Sequence, residues 1–248
     1  MSKSKVAWIT GGGTGIGAAY AKILADEGWQ VAISGRRTAP LQETASSGGG
    51  HIHVYPLDVT DLAATRDTVK SIASDLGAID LAVLNAGVYK AFKASNYSAE
   101  TVRHTFEINF MGVVHGIDAV LPAMKKRKSG HIAAVASVAG YRGLPLAADY
   151  GASKSAVIYH MESLKMDLDR MGIQTSVVCP GFVETPLTDQ NKFDMPFIMK
   201  VDDAARAMHK GISRGDFEIV FPKKLAYPLK LLQKLPYAVY FPLANRSL

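Results

Sequence analysis

At 248 residues, 48% of them hydrophobic and 20% charged, the chain is long enough for one sizeable core and has the balance of a soluble globular domain. Its net charge of +6 is uneven: Lys223, Lys224, Lys230, Lys234 and Arg246 crowd into residues 219–248, which hold no acid, so no basic stripe tracks the rest of the chain and nucleic-acid binding is excluded. The single cysteine, Cys179, excludes an intrachain disulfide and points to a reducing compartment, the cytoplasm; at the end of the apolar run "SVVC" it reads as a small buried hydrophobe.

The opening "MSKSKVAWIT" lacks the apolar centre of a signal peptide, and no stretch reaches the length of a membrane span. Short apolar runs then alternate with amphipathic stretches. Strands are predicted at 5–10, 30–34, 51–56, 80–85, 131–136, 174–179 and 218–221, several of them apolar on successive positions, as in a parallel sheet covered on both faces. Between them, Ile16, Tyr20, Ile23 and Leu24 mark one helical face, Thr60 can cap a helix running to about Leu76, and Ser98 can cap another toward Met124. This alternation predicts right-handed crossovers and an α/β fold: a single doubly wound, Rossmann-type domain with a seven-stranded parallel sheet and a short C-terminal helical tail.

Such a sheet binds ligands beyond the carboxyl ends of its strands. The first strand ends in "TGGGTGIG", where glycines 11, 15 and 17 permit a tight turn and let backbone N–H groups at a helix start approach a pyrophosphate. A plain strand-to-helix turn also uses glycine, and the motif alone does not separate a dinucleotide site from other nucleotide-like cofactors. The second strand ends in "SGRR". Gly35 stands where an acid would meet the ribose hydroxyls of NAD, and Arg36 and Arg37 suit a 2′-phosphate, so NADP(H) is expected over NAD(H).

Farther along, Tyr150, Lys154, Val157, Met161, Leu164 and Leu168 recur at helical spacing, which sets a lysine into an apolar stripe. A free tyrosine titrates near about 10. An ammonium one turn away would stabilise the phenolate and lower that value. Two further basic features read as structure. "KKRK" (125–128) is a solvated helix terminus, and the His51/His53 pair decorates a strand without the Cys or acid partners of a metal site.

The chain closely resembles the short-chain dehydrogenase/reductase family. The motifs are "TGGGTGIG", "NAG" (85–87), "IN" ending at Asn109, Ser137 in "VASVAG", "YGASK" (150–154) and "PGFVET" (180–185), in the family's order over about residues 5–221. The resemblance implies an oxidoreductase acting on CH–OH and C=O groups, with Tyr150 as general acid and base, Lys154 beside it on the nicotinamide ribose, Ser137 on the substrate oxygen and Asn109 on a water-linked proton path to Lys154. It also implies that cofactor contacts come from Gly11, Thr14, Gly15, Ile16, Gly17, Asp58 and Val59, from Asn85, Ala86 and Gly87, and from Pro180, Gly181, Val183 and Thr185. No metal is required.

The catalytic domain is expected over 1–222, with a substrate loop at about 184–200, and residues 223–248 form a basic, apolar tail of the same domain. Ala139, Tyr141, Leu144, Phe182, Leu187, Met195 and Phe197 would give a hydrophobic pocket beside Ser137, suited to a ketone or secondary alcohol, with Arg142 as a possible carboxylate anchor. The tail is expected to pack over the substrate loop or at a subunit interface, in preference to peripheral membrane contact. By family resemblance the chain pairs into a homodimer or homotetramer through helices near 98–124 and 150–171. Two alternatives stand: a 3-oxoacyl-carrier reductase, and a non-catalytic scaffold that binds the cofactor.

Overall fold

The computed structural model describes residues 4–91, 93–189 and 194–245; residues 190–193 of the expected substrate loop and Arg246 of the tail lie outside them. Seven parallel strands form one sheet: β1 (Val6–Thr10), β2 (Gln30–Gly35), β3 (Ile52–Pro56), β4 (Ile79–Leu84), β5 (His131–Val135), β6 (Gln174–Pro180) and β7 (Glu218–Phe221). Their spatial order is β3-β2-β1-β4-β5-β6-β7, so the chain winds outward from β1 to one edge, returns, and winds from β4 to the other. The reversal between β1 and β4 opens a crevice at their carboxyl ends.

Strand composition explains the layering. In β1, Ala7 and Ile9 pack into one core with Leu24, Val83 and Met208, while Val6 and Trp8 pack into the other with Leu84, Ile132 and Met161. Both faces are dry, which is why β1, β5 and most of β6 show no polar alternation. Helices α1 (Gly15–Asp26) and α7 (Val201–Arg214) cover the first face, and α3 (Leu62–Asp75), α5 (Gly112–Arg127) and α6 (Ala148–Arg170) cover the second. Helix α2 (Thr38–Ser46) follows β2.

The starts of two helices illustrate how local chemistry sets boundaries. Ser98 caps α4 (Ala99–Phe106) as expected, accepting from Thr101 N at 3.2 Å. The cap of α3 is Asp61, not Thr60: its carboxylate accepts from Ala64 N at 2.9 Å, while the Thr60 hydroxyl is turned back onto Asp58. The long helix expected toward Met124 is also interrupted. A π-helical turn, Glu107–Met111, sits between α4 and α5, and Asn109 lies in it. "KKRK" does end α5, with Lys128 in the left-handed conformation and Arg127 hydrogen-bonded to the Ile79 carbonyl.

His51 and His53 both bond the side chain of Gln30, at 3.0 and 2.7 Å. No cluster of three metal-ligating side chains occurs among the described residues. The C-terminal segment forms α8 (Lys223–Gln233) and α9 (Tyr237–Asn245), and among the described residues no helix is long and apolar enough to cross a membrane.

Candidate active site

A cavity of about 1080 Å³ occupies the crevice beyond the strand ends. Its floor comes from residues far apart in sequence that the parallel sheet brings level. Thr10, the last residue of β1, receives Asn85 N and Ala86 N on its hydroxyl at 2.9 and 3.1 Å, and the Asn85 amide donates to the Thr10 and Gly11 carbonyls at 3.0 and 3.2 Å. These bonds tie the "NAG" segment to the glycine-rich turn, so both line one wall.

The turn itself depends on its glycines. Gly15 has φ +57, and a Cβ there would come 3.0 Å from the Thr185 methyl. Thr14 caps α1 without a side-chain hydrogen bond, so the first N–H groups of that helix face the crevice unclaimed by any capping side chain. Gly17 has a different part: it does not line the cavity, and a Cβ there would sit 2.4 Å from the Gly11 carbonyl oxygen. It permits the turn to pack on itself.

Gly11, Thr14, Gly15 and Ile16 line the cavity together with Arg36, Arg37, Asp58 and Val59. Asp58 accepts from Thr60 N and its hydroxyl at 3.0 and 2.8 Å; these bonds, with Arg36 nearby, hold its carboxyl below the usual carboxylate range. Ala86, Gly87, Pro180, Gly181, Val183 and Thr185 complete that half.

The other half gathers Ser137, Tyr150 and Lys154. Ser137 leaves the end of β5, accepts from Ala139 N at 3.1 Å and lies 3.3 Å from the Pro180 carbonyl. Tyr150 and Lys154 stand one turn apart at the start of α6, with Lys154 Nζ 5.8 Å from the Tyr150 ring centre. Val157 and Met161 continue that stripe fully buried, and Leu164 is half-buried. Lys154, 3% exposed, donates to the Val135 carbonyl at 2.8 Å.

Burial governs the electrostatics. It pushes the Tyr150 phenol up to about 12, against a lowering hydrogen bond with Ser137, and pulls the Lys154 ammonium down to about 8. The expected lowering of Tyr150 by Lys154 is overridden: the lysine is spread over a carbonyl bond and is itself desolvated. The phenol therefore keeps its proton at neutral pH.

Asn109 lies behind this wall. Its Oδ1 accepts from Val88 N at 2.8 Å, and its Nδ2 donates to the Val88 carbonyl and to Ser153 Oγ at 3.0 and 3.1 Å. Gly87 separates it from Lys154: a Cβ on that glycine would lie 3.3 Å from Asn109 Oδ1 and 3.4 Å from Lys154 Nζ.

Of the expected substrate residues, Ala139, Leu144, Phe182 and Leu187 line the cavity. Tyr141 does not: its hydroxyl donates to Glu218 at 2.6 Å on the far side of the loop, so the pocket assignment is corrected. Met195 and Phe197 likewise stand outside the lining, and Asp194 and Pro196 take their places. Arg142 is no carboxylate anchor, because its guanidinium bonds the Gln233 and Leu235 carbonyls at 2.8 and 3.2 Å. Sequence reasoning missed Tyr89, whose ring meets Tyr150 edge-on with centroids 4.9 Å apart, and missed Leu225 and Leu229 of α8. Tyr89 stands two residues past "NAG" and was findable there; the leucines depend on how α8 folds back.

Cys179 is fully buried, and burial pushes its thiol up to about 12. It is no nucleophile at neutral pH.

Residues 5–195 match the family described as short chain dehydrogenase. An uncharacterized oxidoreductase of Myxococcus xanthus is 39% identical over 245 residues, covering 98% of this chain and 97% of that protein. One from Staphylococcus epidermidis is 35% identical over 191 residues, covering 77% and 83%. Among solved structures, a short chain dehydrogenase/reductase from Burkholderia phymatum in complex with NAD superposes with TM-score 0.86 at 26% identity, covering 94% of this chain and 95% of that one. A variant of actinorhodin polyketide ketoreductase with NADPH superposes with TM-score 0.83 at 26% identity, covering 91% and 98%. The chain belongs to the short-chain dehydrogenase/reductase family.

Proposed function

We propose that the protein is an NADP(H)-dependent oxidoreductase that interconverts a hydrophobic ketone and its secondary alcohol. The observation that carries this reading is the meeting of a protonated Tyr150, Ser137 and Lys154 at one end of a cavity whose other end offers a glycine cradle and two arginines. The residues fit a dinucleotide. The uncapped start of α1 behind the glycine turn suits a pyrophosphate, Arg36 and Arg37 a 2′-phosphate, Asp58 and Val59 the adenine, and Val183 and Thr185 the carboxamide. Bound there, the nicotinamide would supply or accept the hydride.

The chain's own residues handle the proton. Ser137 holds the substrate oxygen, and Tyr150 donates its phenolic proton to that oxygen as the carbonyl is reduced, or takes it back in oxidation. The cationic Lys154 steadies the phenolate so formed. Asn109 positions the Val88 segment behind Lys154, on the side from which a proton would be returned. Ala139, Leu144, Phe182, Leu187, Leu225 and Leu229 give the remaining space an apolar lining, which favours hydrophobic substrates over sugars. An intact Ser–Tyr–Lys set argues against a non-catalytic scaffold.

A second reading, reduction of a carrier-bound 3-oxoacyl group, draws support from the likeness to the polyketide ketoreductase. Titration of the purified protein with NADPH and NADH, followed by nicotinamide fluorescence, tests the cofactor. A screen of hydrophobic ketones against carrier-linked 3-oxoacyl substrates then separates the two readings. Binding of neither nucleotide would overturn both.

A further inference from the structure

Helix α9 is anomalous. Its sequence, "YAVYFPLAN", carries no charge, yet among its large side chains Tyr240 alone is buried, at 2% exposure. Val239, Phe241 and Leu243 stand 48%, 55% and 43% exposed. A helix apolar all round is ordinarily covered, and contiguous exposed apolar surface marks an interaction site. This helix is not loosely attached. The Tyr240 hydroxyl donates to the Gly143 carbonyl, and the Arg142 guanidinium lies 4.4 and 4.7 Å from the ring centres of Tyr240 and Tyr237.

Helix α8, just before it in the chain, carries a second exposed stripe. Lys224, Tyr227, Leu231 and Lys234 follow at steps of three and four and form one exposed stripe, with Tyr227 at 55% and Leu231 at 66% exposure. Two large apolar side chains are thus bracketed by two lysines. Lys230 is taken up by Glu218, whereas Lys223, Lys224 and Lys234 face outward. No acidic residue occurs from 219 to 248.

We infer that the outer face of α8 and α9 docks onto an anionic membrane surface, lying in its plane. The helices, of 11 and 9 residues, are far too short to span it, and aromatic rings with lysines at their flanks are what the headgroup boundary accommodates. Charge decides between this occupant and a second copy. A second copy presenting the same segment offers Lys223, Lys224 and Lys234 no acidic partner, whereas an anionic leaflet matches them. Tail packing and membrane contact are also not alternatives: Leu225 and Leu229 line the cavity from the inner side of α8 while Tyr227 and Leu231 face out. Apolar substrate dissolved in lipid would meet the cleft at the docked side, a corollary that rests on the proposed reaction; the docking does not.

Sedimentation of the full-length protein with phosphatidylglycerol-containing vesicles, and with phosphatidylcholine vesicles alone, tests the inference without any substrate. At low salt the protein should pellet with the first and stay in solution with the second. Lys223→Gln and Lys224→Gln should each weaken binding about fivefold. Phe241→Glu combined with Leu243→Glu should weaken it by about tenfold or more while the NADPH titration is unchanged. Phe241→Trp, which keeps the face apolar, should bind and shift its emission to the blue on the vesicles. The inference is overturned if wild type fails to pellet with anionic vesicles at low salt, if it pellets equally with both lipids, or if the tryptophan emission does not move. It is also overturned if light scattering finds a dimer that the paired glutamates split, which would give the face to a second copy.

Discussion

Tyr89 sets its ring edge-on to that of Tyr150, with centroids 4.9 Å apart and an interplanar angle of 63°. The contact restrains the phenol that points at the cavity, and such aromatic pairs contribute about 0.5–1.5 kcal/mol beyond burial. Tyr89→Ala is therefore expected to lower kcat up to about tenfold with a smaller effect on nucleotide binding. Tyr89→Phe should recover most of the loss, since the ring contact survives. A Tyr89→Ala enzyme with unchanged kcat would show that the contact does not position the acid.

Removing the proposed acid, Tyr150, should be far more costly. Tyr150→Phe keeps the ring and its packing but deletes the transferable proton, so turnover should fall by about 10²–10⁴-fold. Nucleotide titration by fluorescence should remain close to wild type. Substantial residual turnover would locate the general acid elsewhere.

The proposed preference for NADP(H) rests on the arginines after β2. Each charge-assisted contact to a 2′-phosphate contributes about 1.5–3 kcal/mol. Arg36→Ala with Arg37→Ala should thus weaken NADPH by at least about tenfold while NADH, which lacks that phosphate, changes little. Equal losses for both nucleotides would remove the argument.

The pH dependence of catalysis should report Lys154. Burial has lowered its ammonium to about 8, so the positive charge beside Tyr150 is present below that pH and lost above it. In the reductive direction kcat/KM should fall as pH rises through about 8, a limb belonging to the free enzyme. Lys154→Met should abolish the limb along with most of the activity. A flat profile from pH 7 to about 9 would contradict the assignment.

Stability should respond to pH through a different residue. His131 is buried on β5 against Ser176 at 2.8 Å, and burial lowers its imidazole from 6.5 to about 4. Between those values the unfolded chain binds a proton that the native state refuses, so stability is full above about 6.5 and is lost as pH falls toward 4. The cost is on the order of 3 kcal/mol. His131→Gln should flatten this acid limb in a series of melting temperatures at falling pH, whatever it does at neutral pH. An unchanged slope would mean that the imidazole is not the group responsible.

The sequence carried the fold well because two-sided burial writes itself into strands such as "KVAWIT" and "HIAAVA", where no polar residue marks a solvent face. The site was legible where one residue type is required at a fixed place, as at Tyr150, Lys154 and the turn glycines. Legibility failed where tertiary contacts choose between equals. Thr60 and Asp61 are both competent caps, and only the turn geometry sends the Thr60 hydroxyl to Asp58. Tyr141 and Leu144 sit three apart in one loop, yet Glu218 on β7 draws the first away from the cavity. Arg142 was equally ambiguous until the folded tail supplied carbonyls for it. Lys154 was rightly placed in a buried stripe, but the net effect of burial on Tyr150 depends on desolvation that spacing does not encode.

The π-helical turn at Glu107–Met111 makes chain length, as much as residue identity, a determinant of this region. One residue more than a regular turn requires is accommodated there, and it is what lets Asn109 present its amide to both main-chain groups of Val88. A single-residue deletion in that window would let the two helices merge into one uninterrupted α-helix. Residues within the window, Asn109 among them, would then each move by about 100° around the helix surface while the flanking turns keep their phase. The Ser98 and Lys128 ends are each fixed by their own caps, so the mismatch would fall on the middle. Among relatives, an alignment gap within this window should therefore be rarer than a substitution.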